Sequence, residues 1–165
     1  MKTLQQCHLI INNKQIKHLM QKKPQPPTLK AQLKLHKHGN PIRPVVNNMS
    51  APSYKIAKHI NNKLNAYLCF NYYYNVKNSI SLAEDLTKLK IKENYKMMTY
   101  IKDIYVNILI EETLMITKSL LLKHNDTKVT KQIITLLEVI LQQNYCSFEN
   151  ILYQTEKGVS IGSCL

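Results

Sequence analysis

The residues with the clearest chemical use are cations in the first half of the chain. Lys34, Lys37 and Arg43 lie close together, shortly after Lys30. A guanidinium group can hold a phosphate through two parallel hydrogen bonds, whereas an ammonium group attracts it as a point charge. The cluster therefore predicts contact with a polyanion. Arg43 is its best candidate for a phosphate contact, and Lys34 and Lys37 are weaker ones, since any solvated lysine would look the same.

The net charge of +13 is unevenly distributed along the chain. Residues 1–70 contain 11 Lys, one Arg and no acid, whereas residues 71–165 contain 11 Lys and 10 acids. A basic half joined to a balanced half is typical of a protein with one surface facing nucleic acid. A basic surface that only keeps the protein in solution gives the same pattern. Charge alone leaves both interpretations open.

Metal, redox and membrane chemistry find little support in the sequence. The four cysteines are far apart and form no CxxC pair: Cys7, Cys69, Cys146 and Cys164. His36 and His38 flank Lys37 without further close ligands, so no zinc site is predicted. The N-terminus, MKTLQQCHLIINNKQ, lacks the continuous apolar core of a signal peptide. No apolar run is long enough to span a bilayer. We expect an intracellular protein with reduced thiols, nuclear or cytoplasmic, outside the membrane.

The elements that must position the cations are a predicted hairpin and the helix after it. Alternation in LKAQLKLH (29–36) predicts a strand, HGNP predicts a turn, and 42–46 predicts a second strand. Before the hairpin, a short helix is predicted near 13–21, and the prolines of 22–27 predict a loop. After it, a helix should begin at Ser53, with Ser50 or Ser53 as its cap.

The second half predicts further helices, one strand and a second hairpin. Helices are expected at 77–89, 110–122 and 129–142. Glu111 and Glu112 suit the first turn of the helix at 110–122, and the helix at 129–142 has an apolar stripe. KMMTYIK (96–102) predicts a strand. CSFENILYQ (146–154) predicts a hairpin that turns at Glu149-Asn150. The order of helices and strands predicts an α+β fold.

Four stretches, taken in order, resemble the reverse transcriptases of Penelope-like and related non-LTR retroelements. They are QPPTLKAQLKLHKHGNPIRPVVNNMSAPSYKIAKHI (25–60), MMTYIKDIYVNILIEET (97–113), SFENILYQ (147–154) and GVSIGSCL (158–165). The first is similar to the fingers segment of that family, the second to a palm strand, the third to a palm hairpin and the fourth to the family's Gly-Val-Ala-Met-Gly-Ser-Pro-Leu run. The resemblance covers 25–165.

The resemblance implies a fold and a set of site residues. The fold would be a partial fingers–palm portion of a right-hand polymerase, with helices packed on a small antiparallel sheet. Residues 1–24 would be a lead-in, and 25–165 a partial domain that ends before the metal-binding aspartate hairpin. Arg43 would contact the triphosphate of the incoming nucleotide, with Lys34 and Lys37 as weaker candidates. Tyr105 matches the aromatic under the sugar of that nucleotide, although an ordinary core tyrosine fits equally. Gly158 and Gly162 match positions where the backbone approaches the primer–template.

Departures from the family pattern predict that the chain is catalytically inactive. The family uses two Mg²⁺ ions, which need carboxylate ligands, and its aspartate falls on Tyr100. A neutral phenol is a poor Mg²⁺ ligand. Asp103 would point to the opposite face of a continuing strand, so it does not replace that aspartate. The family's aspartate pair would follow Leu165, so no productive metal binding is expected. Further departures fall on Leu33, Thr99, Leu109 and Cys164.

Three functional interpretations follow. The first is an inactive reverse transcriptase relic, marginally stable because of an open sheet edge, with weak electrostatic binding of RNA or DNA. The second is a non-enzymatic basic module that binds nucleic acid or a full-length polymerase. It requires a stable fold and binding that depends on Arg43 and the lysines at 30–37. The third is an active polymerase whose sequence continues past Leu165, for which Tyr100 remains an obstacle.

Overall fold

The computed structural model of the protein describes residues 2–35, 37–68, 76, 78–90 and 104–162. The chain forms two compact units, Met1–Leu68 with Asp103–Leu165, and Cys69–Lys102. No described helix is long and apolar enough to cross a membrane. The helices and strands are α1 (Lys2–Gln6), α2 (Asn13–Leu19), β1 (Thr28–Leu33), β2 (Ile42–Asn47), α3 (Tyr54–Leu68), α4 (Ser79–Lys88), a 3₁₀ helix (Tyr105–Asn107), α5 (Ile110–Leu122), α6 (Thr127–Gln142), β3 (Tyr145–Phe148) and β4 (Ile151–Gln154).

The α+β class is confirmed, and the sheet differs from the expected one in its strand directions. Its order is β2-β1-β3-β4. Each hairpin is antiparallel, but β1 and β3 run parallel where Thr28 lies opposite Ser147. The prediction of an antiparallel sheet is therefore wrong at this central pair. Several helices separate β1 from β3 in sequence, and such a long connection allows two strands to run in the same direction.

The β3–β4 hairpin confirms the turn predicted at Glu149-Asn150. Both residues have positive φ, 50° and 63°, and Phe148 pairs with Ile151 on either side of them. Two central residues with positive φ form the tight turn whose twist matches that of the flanking strands. The predicted strand at 96–102 lies outside the described residues.

Helix α6 lies at the centre of the hydrophobic core. The buried side chains of α6 form the predicted apolar stripe and extend it: Thr130, Ile133, Leu136, Leu137, Ile140 and Leu141. Helices α1, α3 and α5 all pack against α6. Asp126 caps the N-terminus of α6 by accepting a hydrogen bond from the Lys128 backbone N–H at 3.0 Å. Three-sided packing around one helix therefore builds the core.

The N-terminal segment supplies a large part of that core. A capping box begins α2, since Asn12 and Gln15 exchange side-chain-to-backbone hydrogen bonds of 2.8 and 2.9 Å. This confirms the helix predicted near 13–21, whereas the short α1 was not predicted. The buried residues of this segment are Leu4, Cys7, Ile10, Ile11, Ile16 and Leu19. Residues 1–24 thus share one compact unit with the hairpin that follows them.

The sheet contributes little to the core. Among the strand residues only Val46 and Cys146 are buried. The helices pack mainly on one another, because their apolar stripes meet around α6. The expectation of helices packed on the sheet is thus met only near these two residues, and most of the sheet faces solvent.

Helix α4, in the unit Cys69–Lys102, confirms the helix predicted at 77–89. The Asn78 side chain caps it by accepting from the Ser81 backbone N–H at 2.9 Å. Asp85 and Lys88 form an exposed ion pair of 3.4 Å one turn apart. No residue of α4 is buried, and Ile80 is 72% exposed.

Helix α3 carries a titratable group at its contact with the N-terminal segment. Burial lowers the pKa of His59 from its ordinary 6.5, the nearby Lys63 lowers this pKa further, and a hydrogen bond with the Ile10 backbone opposes both. The Nε2 atom of His59 is buried without a hydrogen-bond partner among the described residues. Protonation would therefore place an unsatisfied charge against this contact.

We expect the protein to lose stability as pH falls through 6.5, the ordinary histidine pKa. The folded-state pKa of His59 lies below the unfolded value, so protonation favours the unfolded chain. The contribution of neutral His59 is present at higher pH and disappears on acidification. Urea unfolding midpoints at pH about 7.5 and about 5.5 measure the effect. The His59→Gln variant should show a smaller pH dependence, and an unchanged dependence would contradict this assignment.

Candidate nucleic-acid interface

The β1–β2 hairpin presents a cationic face. Arg43 pairs directly with Gln32, and Lys30 pairs with Val45. Paired residues share one face of a sheet and successive residues alternate. Arg43 and Lys30 therefore project from the same face, one pair apart, and both are exposed. This face places a guanidinium and an ammonium group on a rigid two-stranded frame.

The loop of the hairpin adds two further cations. The Lys34 N–H donates to the Pro41 carbonyl at 3.0 Å, the Lys37 N–H to the Lys34 carbonyl at 3.0 Å, and the Asn40 N–H to the Lys37 carbonyl at 3.1 Å. These bonds hold the loop backbone, with Lys37 exposed and Lys34 half-buried. We call Lys30, Lys34, Lys37 and Arg43 the hairpin cations.

The opposite face of the hairpin is apolar. It carries Leu29, Leu33, Ile42 and Val46, which alternate with the cationic face. Val46 is buried, whereas Leu33 and Ile42 are each 62% exposed. The hairpin therefore attaches to the rest of the protein at its Val46 end, and its loop end stands away from the core.

The hairpin cations have no acidic partner among the described residues. The ion pair found within 2–35, 37–68, 76, 78–90 and 104–162 is that of Lys88 with Asp85. Cations without a carboxylate partner in the described part of the chain remain available to an external anion. The geometry thus suits binding of a phosphate backbone.

Tyr105 and Gly158, two predicted site residues far apart in sequence, lie in contact. The Val159 N–H donates to the Tyr105 carbonyl at 2.8 Å. Gly158 has a φ of +70°, and a Cβ at this position would overlap the Tyr105 carbonyl oxygen and the Val106 backbone. The Tyr105 side chain is 42% exposed beside this contact. Only glycine suits a positive φ and an approach this close.

Gly162 makes a second close approach, to β2. It has a φ of +106°, and an added Cβ would overlap the Val46 carbonyl oxygen. The Val46 N–H donates to the Ile161 carbonyl at 2.8 Å, and the Asn48 side-chain amide donates to the Gly162 carbonyl at 3.0 Å. We call residues 158–162 the glycine strap, because they tie Tyr105 to the strand that carries Arg43.

The glycines were predicted to lie where the backbone approaches primer–template. The close neighbours that the structure shows belong to the protein itself, at Tyr105, Val106 and Val46. These contacts explain why glycine is needed at 158 and 162 without a nucleic acid. Their role toward primer–template stays a prediction.

Asn144 holds the strap, and the sequence analysis missed it. Its side-chain amide donates to the Gly158 carbonyl at 2.7 Å and also contacts the Thr155 hydroxyl. Its own carbonyl accepts from the Thr155 N–H at 3.1 Å. Asn144 lies two residues after the last residue of α6, so the end of the core helix positions the start of the strap. A polar residue between a helix and a strand was the available signal, but many loops share it.

The two hairpins also meet. The Ser147 N–H donates to the Pro27 carbonyl at 2.6 Å, next to the parallel pairing of Thr28 with Ser147. Together with the strap contacts, this pairing joins described parts of all four stretches that carry the family resemblance. They lie in one compact unit.

The predicted metal position is at Tyr100. Tyr100 and Asp103 lie outside the described residues. Within the described part of the chain, no group of three or more His, Cys, Asp or Glu side chains could hold a metal ion. Cys7 and Cys146 are free and buried, and burial raises the pKa of both thiols. Such thiols remain protonated and react slowly.

Gly158→Ala should destabilise the protein more than Gly39→Ala. Both glycines have a similar positive φ, +70° and +77°, so both substitutions strain the backbone by about 1–2 kcal/mol. Only Gly158 has backbone atoms in the way of a Cβ, since nothing lies within 4 Å of one at Gly39. Urea unfolding gives the free energy of each variant. Equal losses for the two variants would show that the strap contact is unimportant.

The candidate site thus has two parts, an exposed cationic hairpin and a strap that ties it to Tyr105. Both belong to the unit built around α6. No family model, no curated protein and no solved structure matches this chain.

Proposed function

We propose that this chain is a catalytically inactive relative of the retroelement reverse transcriptases of the Penelope-like and related non-LTR type, and that it binds nucleic acid through charge. The observation that carries the proposal is the convergence of the four resembling stretches. Their described parts are distant in sequence, yet β1 pairs with β3, and the glycine strap bonds to both Tyr105 and β2.

The convergence supports a fingers–palm arrangement. In a right-hand polymerase, the fingers and the palm must together enclose the incoming nucleotide. Here the hairpin that bears Arg43 and the segment that bears Tyr105 are linked through a strap only five residues long, at Val46 and Tyr105. A guanidinium for the triphosphate and an aromatic ring for the sugar would then belong to one site.

The hairpin cations support electrostatic binding of nucleic acid. Phosphate contacts dominate affinity for a polyanion, and each releases condensed counterions from the nucleic acid. Exposed lysines and one arginine, on a frame without a described acidic partner, provide such contacts and little means of distinguishing bases. Binding would be weak, salt-sensitive and tolerant of sequence.

Neutralising Lys34, Lys37 and Arg43 together, each to Gln, should weaken binding of single-stranded RNA. Removing three phosphate contacts should reduce the slope of log K against log salt by about two units. Fluorescence anisotropy of a labelled RNA over a salt series measures both the affinity and the slope.

A matched variant separates the site from overall charge. Lys14, Lys17 and Lys131 are also exposed, and changing each to Gln removes the same three charges elsewhere. This control should keep most of the salt slope. If both triple variants lose affinity equally, binding comes from net charge, and the hairpin has no special role.

Inactivity is proposed from Tyr100. In the resembling family an aspartate at this position holds Mg²⁺, which favours hard carboxylate oxygens over a neutral phenol. The metal ions would align the primer hydroxyl and the triphosphate for phosphoryl transfer. The residues that remain here could bind and orient a nucleic acid without supplying that chemistry.

A primer-extension assay on an RNA template with Mg²⁺ tests this part. We expect the chain to extend primer no more than a no-enzyme control does, because Tyr100 offers no carboxylate. The Tyr100→Asp variant, measured beside it, reports whether this position alone is limiting. Extension by the unaltered chain that disappears with EDTA would overturn the assignment of inactivity.

A second candidate is a non-enzymatic basic binding module. It is favoured by the core around α6, to which the N-terminal segment contributes six buried residues. A unit with its own core can fold and act without the rest of a polymerase. It would bind RNA, DNA or a full-length polymerase through the hairpin cations. Cooperative unfolding, combined with loss of binding in the hairpin variant and no loss in the control, would favour this candidate.

A further inference from the structure

Helix α5 carries apolar residues on the side that packs in the core and also on a side that no described element covers. Its inner side packs against α3 and α6, where Leu121 is fully buried and Ile110 and Leu114 adjoin the core. Yet its outer side is apolar as well. An apolar face of a helix is normally covered by a packing partner.

The outer side of α5 exposes a stripe of apolar side chains. Met115 is 68% exposed, Ile116 60% and Leu122 44%, and the exposed Ser119 lies between them. Met115, Ser119 and Leu122 lie on one face at spacings of three, four and seven residues, and Ile116, three residues before Ser119, borders that face. We call them the α5 stripe. Exposed apolar side chains grouped on one face favour association with a partner.

The charges that flank the stripe are ordered along the helix. Glu111 and Glu112 lie in the first turn, whereas Lys118 and Lys123 lie towards and just after the last. All four are exposed. One end of the stripe is therefore negative and the other positive, so this surface is complementary to itself when it is turned end for end.

We propose that the α5 stripe pairs with the α5 stripe of a second copy of this chain, with the two helices antiparallel. In this arrangement the acidic end of each helix faces the basic end of the other, and the helix dipoles oppose each other favourably. A two-fold axis through the middle of the stripe generates both contacts from one patch, as in most homodimers.

Other partners fit this surface less well. Parallel pairing would set Glu111 and Glu112 against their own copies. A uniformly acidic or basic partner would be repelled at one end. A polyanion would be repelled by the same two acids. The alternation of sign therefore favours the protein itself as partner.

The dimer should be weak. Helix α5 has 13 residues and is about 20 Å long, so one helix pair covers less than the roughly 800 Å² per partner of a standard interface. We expect dissociation constants of about 1–100 µM. Sedimentation velocity across that concentration range, at near-physiological salt, should show a reversible shift from monomer to dimer.

Two methionines of nearly equal exposure make a matched pair of variants. Met115 is 68% exposed on the stripe, and Met49 is 66% exposed on a loop outside it. Met115→Lys should raise the dissociation constant at least about tenfold by burying an unpaired charge, whereas Met49→Lys should leave it unchanged. A wild-type chain that stays monomeric overturns the proposal, as do equal effects of the two variants.

A charge exchange tests the orientation. Glu111→Lys with Glu112→Lys makes both ends basic, and Lys118→Glu with Lys123→Glu makes both ends acidic. Each double variant alone should be monomeric, because either end then meets its own sign. An equimolar mixture should regain the dimer. If each variant dimerises as well as the wild type, the flanking charges do not direct the pairing and antiparallel association through them is excluded.

Discussion

The burial of one face of α6 is the interaction on which the rest of the structure depends. Ile133 and Leu136 of α6 are almost completely buried, and α1, α3 and α5 all pack against this helix. The same helix ends next to Asn144, which holds the glycine strap at Gly158. The packing of α6 in the core therefore fixes the position of Asn144, and with it the hydrogen bond from Asn144 to Gly158. The arrangement of the candidate site therefore depends on the packing of the core.

The glycine strap links two segments that are distant in sequence. Backbone hydrogen bonds at Tyr105 and Val46 tie the 3₁₀ helix to β2. Backbone-to-backbone contact requires glycine at both ends, since any Cβ there would meet a carbonyl oxygen. The strap is thus specified by two residues that contribute no side-chain chemistry. Its effect on function would be through the placement of Tyr105 relative to the hairpin.

Local patterns predicted much of the secondary structure. The apolar stripe of α6 and the two acids in the first turn of α5 suited the predicted helices, and α5 begins and ends where predicted. The turn at Glu149-Asn150 and both hairpins were likewise visible in short windows of sequence. The brief α1 was missed because five residues hold too little of a helical repeat to be recognised.

Long-range relations were less accessible. The parallel pairing of Thr28 with Ser147 joins segments separated by several helices, and nothing within either strand specifies its direction. The glycines at 158 and 162 indicated that some group approaches closely, but an absent side chain carries no information about which group it is. Asn144 depends on a partner 14 residues later, beyond any hairpin register. Tertiary contact, more than local propensity, decides these features.

The hairpin loop stands away from the core, so the residues needed for folding differ from the cations that would bind a polyanion. Leu33 and Ile42 remain exposed, so the loop end contributes little to the free energy of unfolding. Selection for a folded chain alone would preserve the stripe of α6 and the glycines of the strap, and would leave Lys34, Lys37 and Arg43 free to drift. Among diverged copies of this sequence, cations retained at these positions would therefore record selection for contact with a polyanion. Loss of these cations in copies that keep the core would indicate that the fold is maintained without selection for polyanion binding.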